Sequence, residues 1–354
     1  MPLVAHNNLP TFARLRKEGQ RVLPAEKAHQ QDIREQHIGL LNMMPDAALE
    51  ATERQFYRLI GESNPIIQIY IHPFTLPELP RGEKAQQHIK QYYETFENLQ
   101  QEGLDALIIT GANVTQPNLS DEPFWEPLTE VVTWATQNVA STLCSCLATH
   151  AVMEFRHGQK RRALGEKRWG VYSHHITDQH PLVRGVNSKF DVPHSRYNQI
   201  DRGQFEAANA RVLAESEAGV HLAVSQDGLR LVYFQGHPEY DAISLLKEYK
   251  REVYRFFHQQ RPDYPPFPVN YFDDYTQALF DEYQQRILAA IHNNEELPEF
   301  PEKLIVHRIH NTWHDTGEAI VGKWLGLVYQ YTNRDRRLYL MEEVDPENPL
   351  GLVK

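Results

Sequence analysis

The chain has 354 residues, of which 41% are hydrophobic and 23% charged, and a formal net charge of −11; this composition fits a globular protein with a sizeable core. The acidic balance argues against nucleic acid as a partner, since such a binder shows a basic stripe, but it is compatible with an anionic small substrate in a locally basic pocket. No apolar run approaches the roughly 18 residues of a membrane span, and the opening MPLVAHNNLPTFARLRKEGQ has no apolar signal core, so no membrane role and a cytoplasmic location are expected.

In chain order, residues 1–36 are polar, weakly periodic and expected to wrap the surface. Residues 37–44 (HIGLLNMM) read as a buried strand closed by Pro45. A helix follows over 48–60, with Leu49, Phe56, Leu59 and Ile60 near one face. A second strand is expected at 66–71, a charged helix at 83–101, a third strand at 104–110 and a helix at 122–138. The fourth strand, 139–145 (VASTLCS), runs into a helix at 147–156. Near-continuous apolar strands alternating with helices indicate a mostly parallel α/β sheet covered on both faces. Past residue 160 the rhythm changes. A hairpin is expected from 211–217 and 220–225 around Ala218-Gly219, then a strand at 229–235 and a helix at 241–257. A helix over 273–292 carries an apolar stripe of Leu279, Phe280, Tyr283, Ile287, Leu288 and Ile291. It is expected to pack on its own domain, the alternative being a homodimer contact or a lid. The division is therefore 1–36 as a surface segment, 37–272 as the catalytic α/β domain, and 273–354 as an inserted helix and C-terminal helical extension.

The only cysteines, Cys144 and Cys146, are too close for an ordinary structural disulfide, and two thiols do not make a cysteine-rich zinc centre. The 18 histidines include no H-E-x-x-H run, and the adjacent His174 and His175 do not share a helix face. No metal or other cofactor is expected. Cys146 stands where a buried strand turns into a helix, the position of an exposed nucleophile at the carboxyl end of a sheet. The residues two before and two after it, Cys144 and Ala148, are small, as a tight turn requires. The following helix favours a thiolate through its dipole and offers the Leu147 N–H to an oxyanion. Cys144, inside the strand, reads as core. At the end of the strand 229–235 stands Gln235-Gly236-His237-Pro238-Glu239. Gly236 is expected to permit an unusual backbone angle. His237 is a general base, and Glu239, two residues on, orients its ring. A nucleophile, a base and an orienting acid are the parts of a catalytic triad.

These residues lie in a longer series of blocks: LLNMMP at 40–45, TERQFYRLI at 52–60, LIITGA at 107–112, STLCSCLATHA at 141–151, EKRWGVYSHHI at 166–176, PHSRYN at 193–198, GHPEYD at 236–241, PVNYF at 268–272 and TWHDTGEAIVGKWLGLVYQ at 312–330. In this order they resemble the homoserine O-succinyltransferase and O-acetyltransferase family, over nearly the whole chain. The resemblance implies a class I glutamine-amidotransferase-like fold and an acyltransferase of methionine biosynthesis. It implies that Cys146 takes the acyl group from acyl-CoA, the co-substrate, as a thioester, with His237 accepting the proton of the L-homoserine hydroxyl and Glu239 as its partner. It also implies that Lys167, Ser195 and Arg251 are substrate contacts. A guanidinium such as Arg251 suits the homoserine carboxylate, and Arg251 lies close to four helical turns past His237.

Three features depart from the family pattern. Leu147 replaces a frequent aromatic residue after the nucleophile. Thr115 stands where the family has Gly with succinyl donors and Glu with acetyl donors; being neutral and smaller than Glu, it favours succinyl-CoA. Residues between Phe272 and Asn311 look inserted. The alternatives are an acetyl-CoA enzyme, acylation of another hydroxy amino acid such as serine, a Cys-His-Glu hydrolase or amidotransferase, and a non-catalytic binding protein. No glutamine or peptide pocket motif supports the hydrolase, and Cys146, His237 and Glu239 together count against a binder.

Overall fold

A computed structural model describes residues 3–352. Eleven strands form one sheet: β1 (Leu3–Ala5), β2 (Val22–Pro24), β3 (Glu35–Leu41), β4 (Gln68–Phe74), β5 (Ala106–Ile109), β6 (Ser141–Ser145), β7 (Arg162–Ile176), β8 (Lys189–Gln199), β9 (Arg211–Ser216), β10 (Gly219–Val224) and β11 (Leu231–Phe234). Their order is β2-β1-β4-β3-β5-β6-β11-β10-β9-β7-β8. Pairings from β2 through β11 are parallel, and those from β11 through β8 are antiparallel. A mostly parallel sheet was expected. The long β7–β8 hairpin was not, because its polar residues alternate with few large apolar ones.

The pleat divides the core. Ile38, Leu40, Ala106 and Ile108 face helices Pro10–Lys17, Asp46–Ser63 and His314–Tyr331. Leu41, Leu107, Ile109 and Cys144 face Phe96–Glu102, Trp125–Asn138 and Leu147–His157. Successive strand residues thus enter opposite layers, which is why these strands read as continuous apolar runs. A third cluster joins helices Ser244–Phe257 and Asp274–Asn293 through Tyr249, Val253, Phe280, Tyr283 and Ile287. The stripe expected on the inserted helix is therefore packed on its own chain, apart from Leu288, which is exposed.

Two expectations are corrected. The segment 1–36 does more than wrap the surface: β1 and β2 extend the parallel sheet, and Leu3, Leu9, Phe12 and Leu15 are buried in its core. Short strands alternating with polar turns hid this pattern. The helix expected over 83–101 is two, Glu83–Tyr92 and Phe96–Glu102; the second begins at Thr95, whose hydroxyl accepts the Asn98 N–H. The C-terminal helical extension packs on the same domain, as expected, and reaches into its core. Ile320, Val321, Trp324, Leu325 and Val328 belong to the main core, Trp324 Nε1 donates to Ser141 Oγ of β6 at 2.8 Å, and a methyl group at Gly322 would meet the Ser63 carbonyl at 2.3 Å. Among the described residues no helix is long and apolar enough to cross a membrane.

Buried neutral histidines make the fold acid-sensitive. Burial foremost pushes His150 down to about 3, and His174 and His180 down to about 4. Each takes up a proton more readily when unfolded, so its stabilisation is complete above about pH 6.5 and is lost as pH falls toward 4. The expected outcome is a steep fall in the urea midpoint between pH 6.5 and 4, up to about 1.4 kcal/mol per pH unit for each histidine. A midpoint unchanged between pH 7 and 4.5 would contradict this.

Candidate active site

β6 and β11 are parallel neighbours, with Ser145 opposite Phe234. Both chains leave the sheet at the same level, so the residues that follow, Cys146 and Gln235–Glu239, share one crevice. Cys146 has φ 51° and ψ −107°, a backbone conformation rare for any residue but glycine and a mark of strain at functional sites. Hydrogen bonds hold it there: the Cys146 N–H donates to the Phe234 carbonyl at 2.7 Å, and its carbonyl accepts from Thr149 N–H at 3.0 Å. The Thr149 hydroxyl lies 2.9 Å from both the Cys144 and the Phe234 carbonyls. The result is a thiol lifted out of the sheet at the start of helix Leu147–His157, where the Leu147 N–H has no acceptor within the helix. Gly111, after β5, abuts the nucleophile; a methyl there would lie 4.0 Å from Cys146 Cβ. Cys144 is fully buried, and burial raises its thiol pKa far above the usual range, as its reading as core requires.

His237 Nδ1 is 2.8 Å from Glu239 Oε1, and both side chains are buried. Its Nε2 is buried with no partner but the neighbouring Cys146 thiol. Burial alone would lower the ring's pKa, but the Glu239 carboxylate, then Cys146, hold it up at about 10. At neutral pH the ring is therefore an imidazolium, paired with Glu239 on one side and facing the Cys146 sulfur on the other. The His237 N–H donates to the Pro193 carbonyl of β8 at 2.9 Å. The Tyr240 ring stacks on the imidazole, with centroids 4.3 Å apart. Gly236 does not have the unusual backbone angle expected of it, for its φ is not positive. It is glycine for space: a methyl would meet Val192 at 2.3 Å, and His194 and His221 at 2.9 Å.

Two expected contacts meet at a residue the sequence did not single out. Lys167 Nζ lies 2.9 Å from Glu248 Oε2, Ser195 Oγ donates to the same oxygen at 2.7 Å, and Tyr240 OH donates to Oε1 at 2.9 Å. These partners outweigh burial and hold the Glu248 carboxyl below its usual pKa. Because Tyr240 also stacks on His237, the Lys167–Ser195–Glu248 cluster is continuous with the triad. Arg251 does not join it. Its side chain is 62% exposed and bonded to its neighbour Glu252 at 3.3 Å, one turn beyond Glu248 on the same helix. Glu248 went unnoticed because a glutamate in a charged helix reads as solvated; the buried residues Leu245 and Tyr249 beside it were the available signal.

Thr115 is tied to a buried carboxylate. Its N–H donates to Glu122 Oε1 at 2.5 Å and its hydroxyl to Oε2 at 3.3 Å, and the Gln116 N–H adds a bond of 2.6 Å. Arg161, half-buried, lies within electrostatic range of Glu122, Glu154 and Cys146. Arg196, almost fully buried, contacts His194 and donates to the Ala218 carbonyl at 2.6 Å, again within range of Cys146. Neither cation was foreseen, since no local pattern separates them from surface arginines.

The profile of the homoserine O-succinyltransferase family matches residues 2–334. A homoserine O-succinyltransferase of Nitrosococcus oceani is 64% identical over 354 residues, covering 99% of each chain. One from Allochromatium vinosum is 63% identical over 354 residues with the same coverage, and one from Cardiobacterium hominis is 47% identical over 356 residues, covering 100% of each. Among solved structures, a glutamine amidotransferase from Thermotoga maritima aligns with a TM-score of 0.45 at 12% identity, over 83% of this chain and 98% of its own. One from Methylobacillus flagellatus aligns with a TM-score of 0.46 at 12% identity, over 83% and 95%.

The buried pair makes a chemical prediction. Replacing Glu239 by Gln removes the largest charge that holds His237 up, so less of the ring stands protonated beside the Cys146 sulfur. Iodoacetamide alkylation of Cys146 at pH 7, followed by mass spectrometry, is expected to slow about tenfold or more, one pKa unit being tenfold in the protonation ratio, with Cys144 unmodified. An unchanged rate would separate Glu239 from the chemistry.

Proposed function

The chain belongs to the homoserine O-succinyltransferase family, and from that premise we propose that it transfers the succinyl group of succinyl-CoA to the hydroxyl of L-homoserine through a thioester on Cys146. The observation that carries this reading is the buried Glu239–His237 pair beside a strained, helix-capping cysteine. In the first half-reaction the Cys146 thiolate attacks the thioester carbonyl. The developing oxyanion is received by the Leu147 N–H, with the helix N-terminus behind it. The C–S bond to CoA breaks, and His237 gives its proton to the departing CoA thiolate. One thioester replaces another, so little free energy separates the two states.

Acylation changes the base. The thiolate charge is gone, so His237 loses one of the two partners that kept it protonated. It has already given up its proton and stands neutral, with Glu239 fixing the tautomer. The homoserine hydroxyl attacks the acyl-enzyme as His237 Nε2 takes its proton. The tetrahedral intermediate collapses, the C–S bond breaks, and O-succinylhomoserine leaves Cys146 and His237 as they began. Two half-reactions through one covalent intermediate give ping-pong kinetics.

The substrate's charges match the cleft. Glu248, held by Lys167, Ser195 and Tyr240, suits the α-ammonium, and the Lys167 ammonium beside it suits the α-carboxylate. On the donor side Glu122 is already occupied by the Thr115 hydroxyl and two N–H groups, and Arg161 lies within range of Cys146. A neutral Thr115 and a nearby cation favour a dicarboxylic acyl group over acetyl.

Incubation with succinyl-CoA, followed by intact-mass measurement, is expected to add one succinyl group at Cys146 that homoserine then discharges. No adduct with any acyl-CoA, or a fully active Cys146→Ala protein, would overturn the mechanism. Thr115→Glu places a second carboxylate beside Glu122 and should shift kcat/KM toward acetyl-CoA by about tenfold or more, the scale of one like-charge contact; an unmoved ratio would remove Thr115 from donor selection.

A further inference from the structure

A chain of rings and carboxylates crosses the sheet on β3 and β4, two and three strands away from β6. On β3 and β4, His37 lies opposite Tyr70, and His72 opposite Gly39. His37 Nε2 is 3.2 Å from Glu35 Oε2, His37 Nδ1 is 2.9 Å from His72 Nε2, and His72 Nδ1 is 2.6 Å from Glu94 Oε1. The His37 and His72 rings stack 5.1 Å apart. His6, just past β1, lies with its ring 5.0 Å from that of His72.

The hydrogens do not suffice for these contacts. Each of the three needs one hydrogen between its heavy atoms. A neutral imidazole carries one and a carboxylate none, so two rings supply two. With one proton on His37 Nε2 toward Glu35 and one on His72 Nε2 toward His37, the His72 Nδ1 lone pair faces a Glu94 oxygen at 2.6 Å. A positive species belongs at that contact. A third proton would satisfy the pair alone, but a third donor converges on the same point. His6 Nδ1 lies 3.3 Å from the Val4 carbonyl, which places its proton there and leaves the Nε2 lone pair outward. The contact of Nε2 with Asn7 Nδ2, at 3.4 Å, is long. The donor atoms of His6, His72 and Glu94 all lie within 4.8 Å of one another.

We propose that His6, His72 and Glu94 bind a divalent transition-metal ion, Zn²⁺ by ligand type. Two imidazoles and a carboxylate form a nitrogen–oxygen set suited to zinc. The far nitrogen of His72 donates to His37, itself held by Glu35, which is the outer layer that orients a metal-binding imidazole. Bonds of about 2.0 Å set tetrahedral donors roughly 3.3 Å apart, so Glu94, 27% exposed, withdraws slightly to admit the ion and water completes the shell. The site is structural. It ties the N-terminal strand and the loop after helix Glu83–Tyr92 to β4, away from the catalytic crevice.

The test uses the full chain, stripped with a chelator and titrated with Zn²⁺ alone and with Co²⁺ alone. Expected are one bound ion per chain by elemental analysis, a visible Co²⁺ absorption of low-symmetry four- or five-coordination, and a thermal midpoint raised by several degrees. His6→Ala and Glu94→Gln should each weaken binding by tenfold or more, and both alter side chains that are only partly buried. A second cluster, Glu62, His314 and Glu318, supplies the control: Glu318→Gln should leave binding unchanged. No stoichiometric uptake, uptake that survives both His6→Ala and Glu94→Gln, or loss in Glu318→Gln instead, would overturn the proposal.

Discussion

The pairing of β6 with β11 is the constraint from which the site follows. Residues far apart in sequence become adjacent because Ser145 and Phe234 share a register position. A shift of one residue would turn every side chain of β11 to the opposite layer and carry His237 away from Cys146. The same pairing fixes the strained turn, since the Phe234 carbonyl holds the Cys146 N–H. Ser141, at the start of β6, bonds the Leu229 carbonyl ahead of β11 at 2.5 Å and receives the Trp324 N–H. The C-terminal helix thus steadies the strand pair from the other end.

Around this pair the structure supports a buried charge that would otherwise be costly. An ion pair removed from water persists only where geometry and further hydrogen bonds compensate it. Tyr240 stacks on the imidazole, and its backbone carbonyl accepts the Trp313 Nε1–H at 2.9 Å. Asp241, next in sequence, is held by Arg54 and Arg58 of helix Asp46–Ser63. The catalytic loop is thereby pinned by the helical layer on one side and by the C-terminal segment on the other. Gly317 approaches Pro238 closely enough that a methyl there would lie 3.1 Å from its Cβ, which adds a packing constraint on the same loop.

Much of this was legible in the sequence, where the local pattern is strong. Apolar runs of strand length marked β3, β5, β6 and β11, and helical periodicity marked Asp46–Ser63, Trp125–Asn138 and Asp274–Asn293. The ends of two buried strands were enough to select Cys146, His237 and Glu239. What escaped was set by tertiary contact. The β7–β8 hairpin has few buried apolar residues, Trp169, Val171, Phe190 and Val192, and fills the rest of its buried positions with His174, His194 and Arg196, so the apolar period-two signal is too short to read. β1 is three residues long, too short for a pattern. Glu248 joins the candidate site only because Lys167 and Ser195 of the hairpin meet it. The His6–His72–Glu94 cluster joins three separate segments, with none of the short spacings by which metal motifs are read.

The strained turn that separates Cys146 from Cys144 has a consequence for chemical damage. Cys144 faces the core layer, while Cys146 stands on the outward turn, and the chain has no other thiol. A sulfenic acid formed on Cys146 would find no resolving cysteine to trap it as an internal disulfide, the reversible branch of thiol oxidation. Its repair therefore depends on a small thiol reaching Cys146 from outside the chain. The alternative is further oxidation to the sulfinic acid, which ends the enzyme's working life.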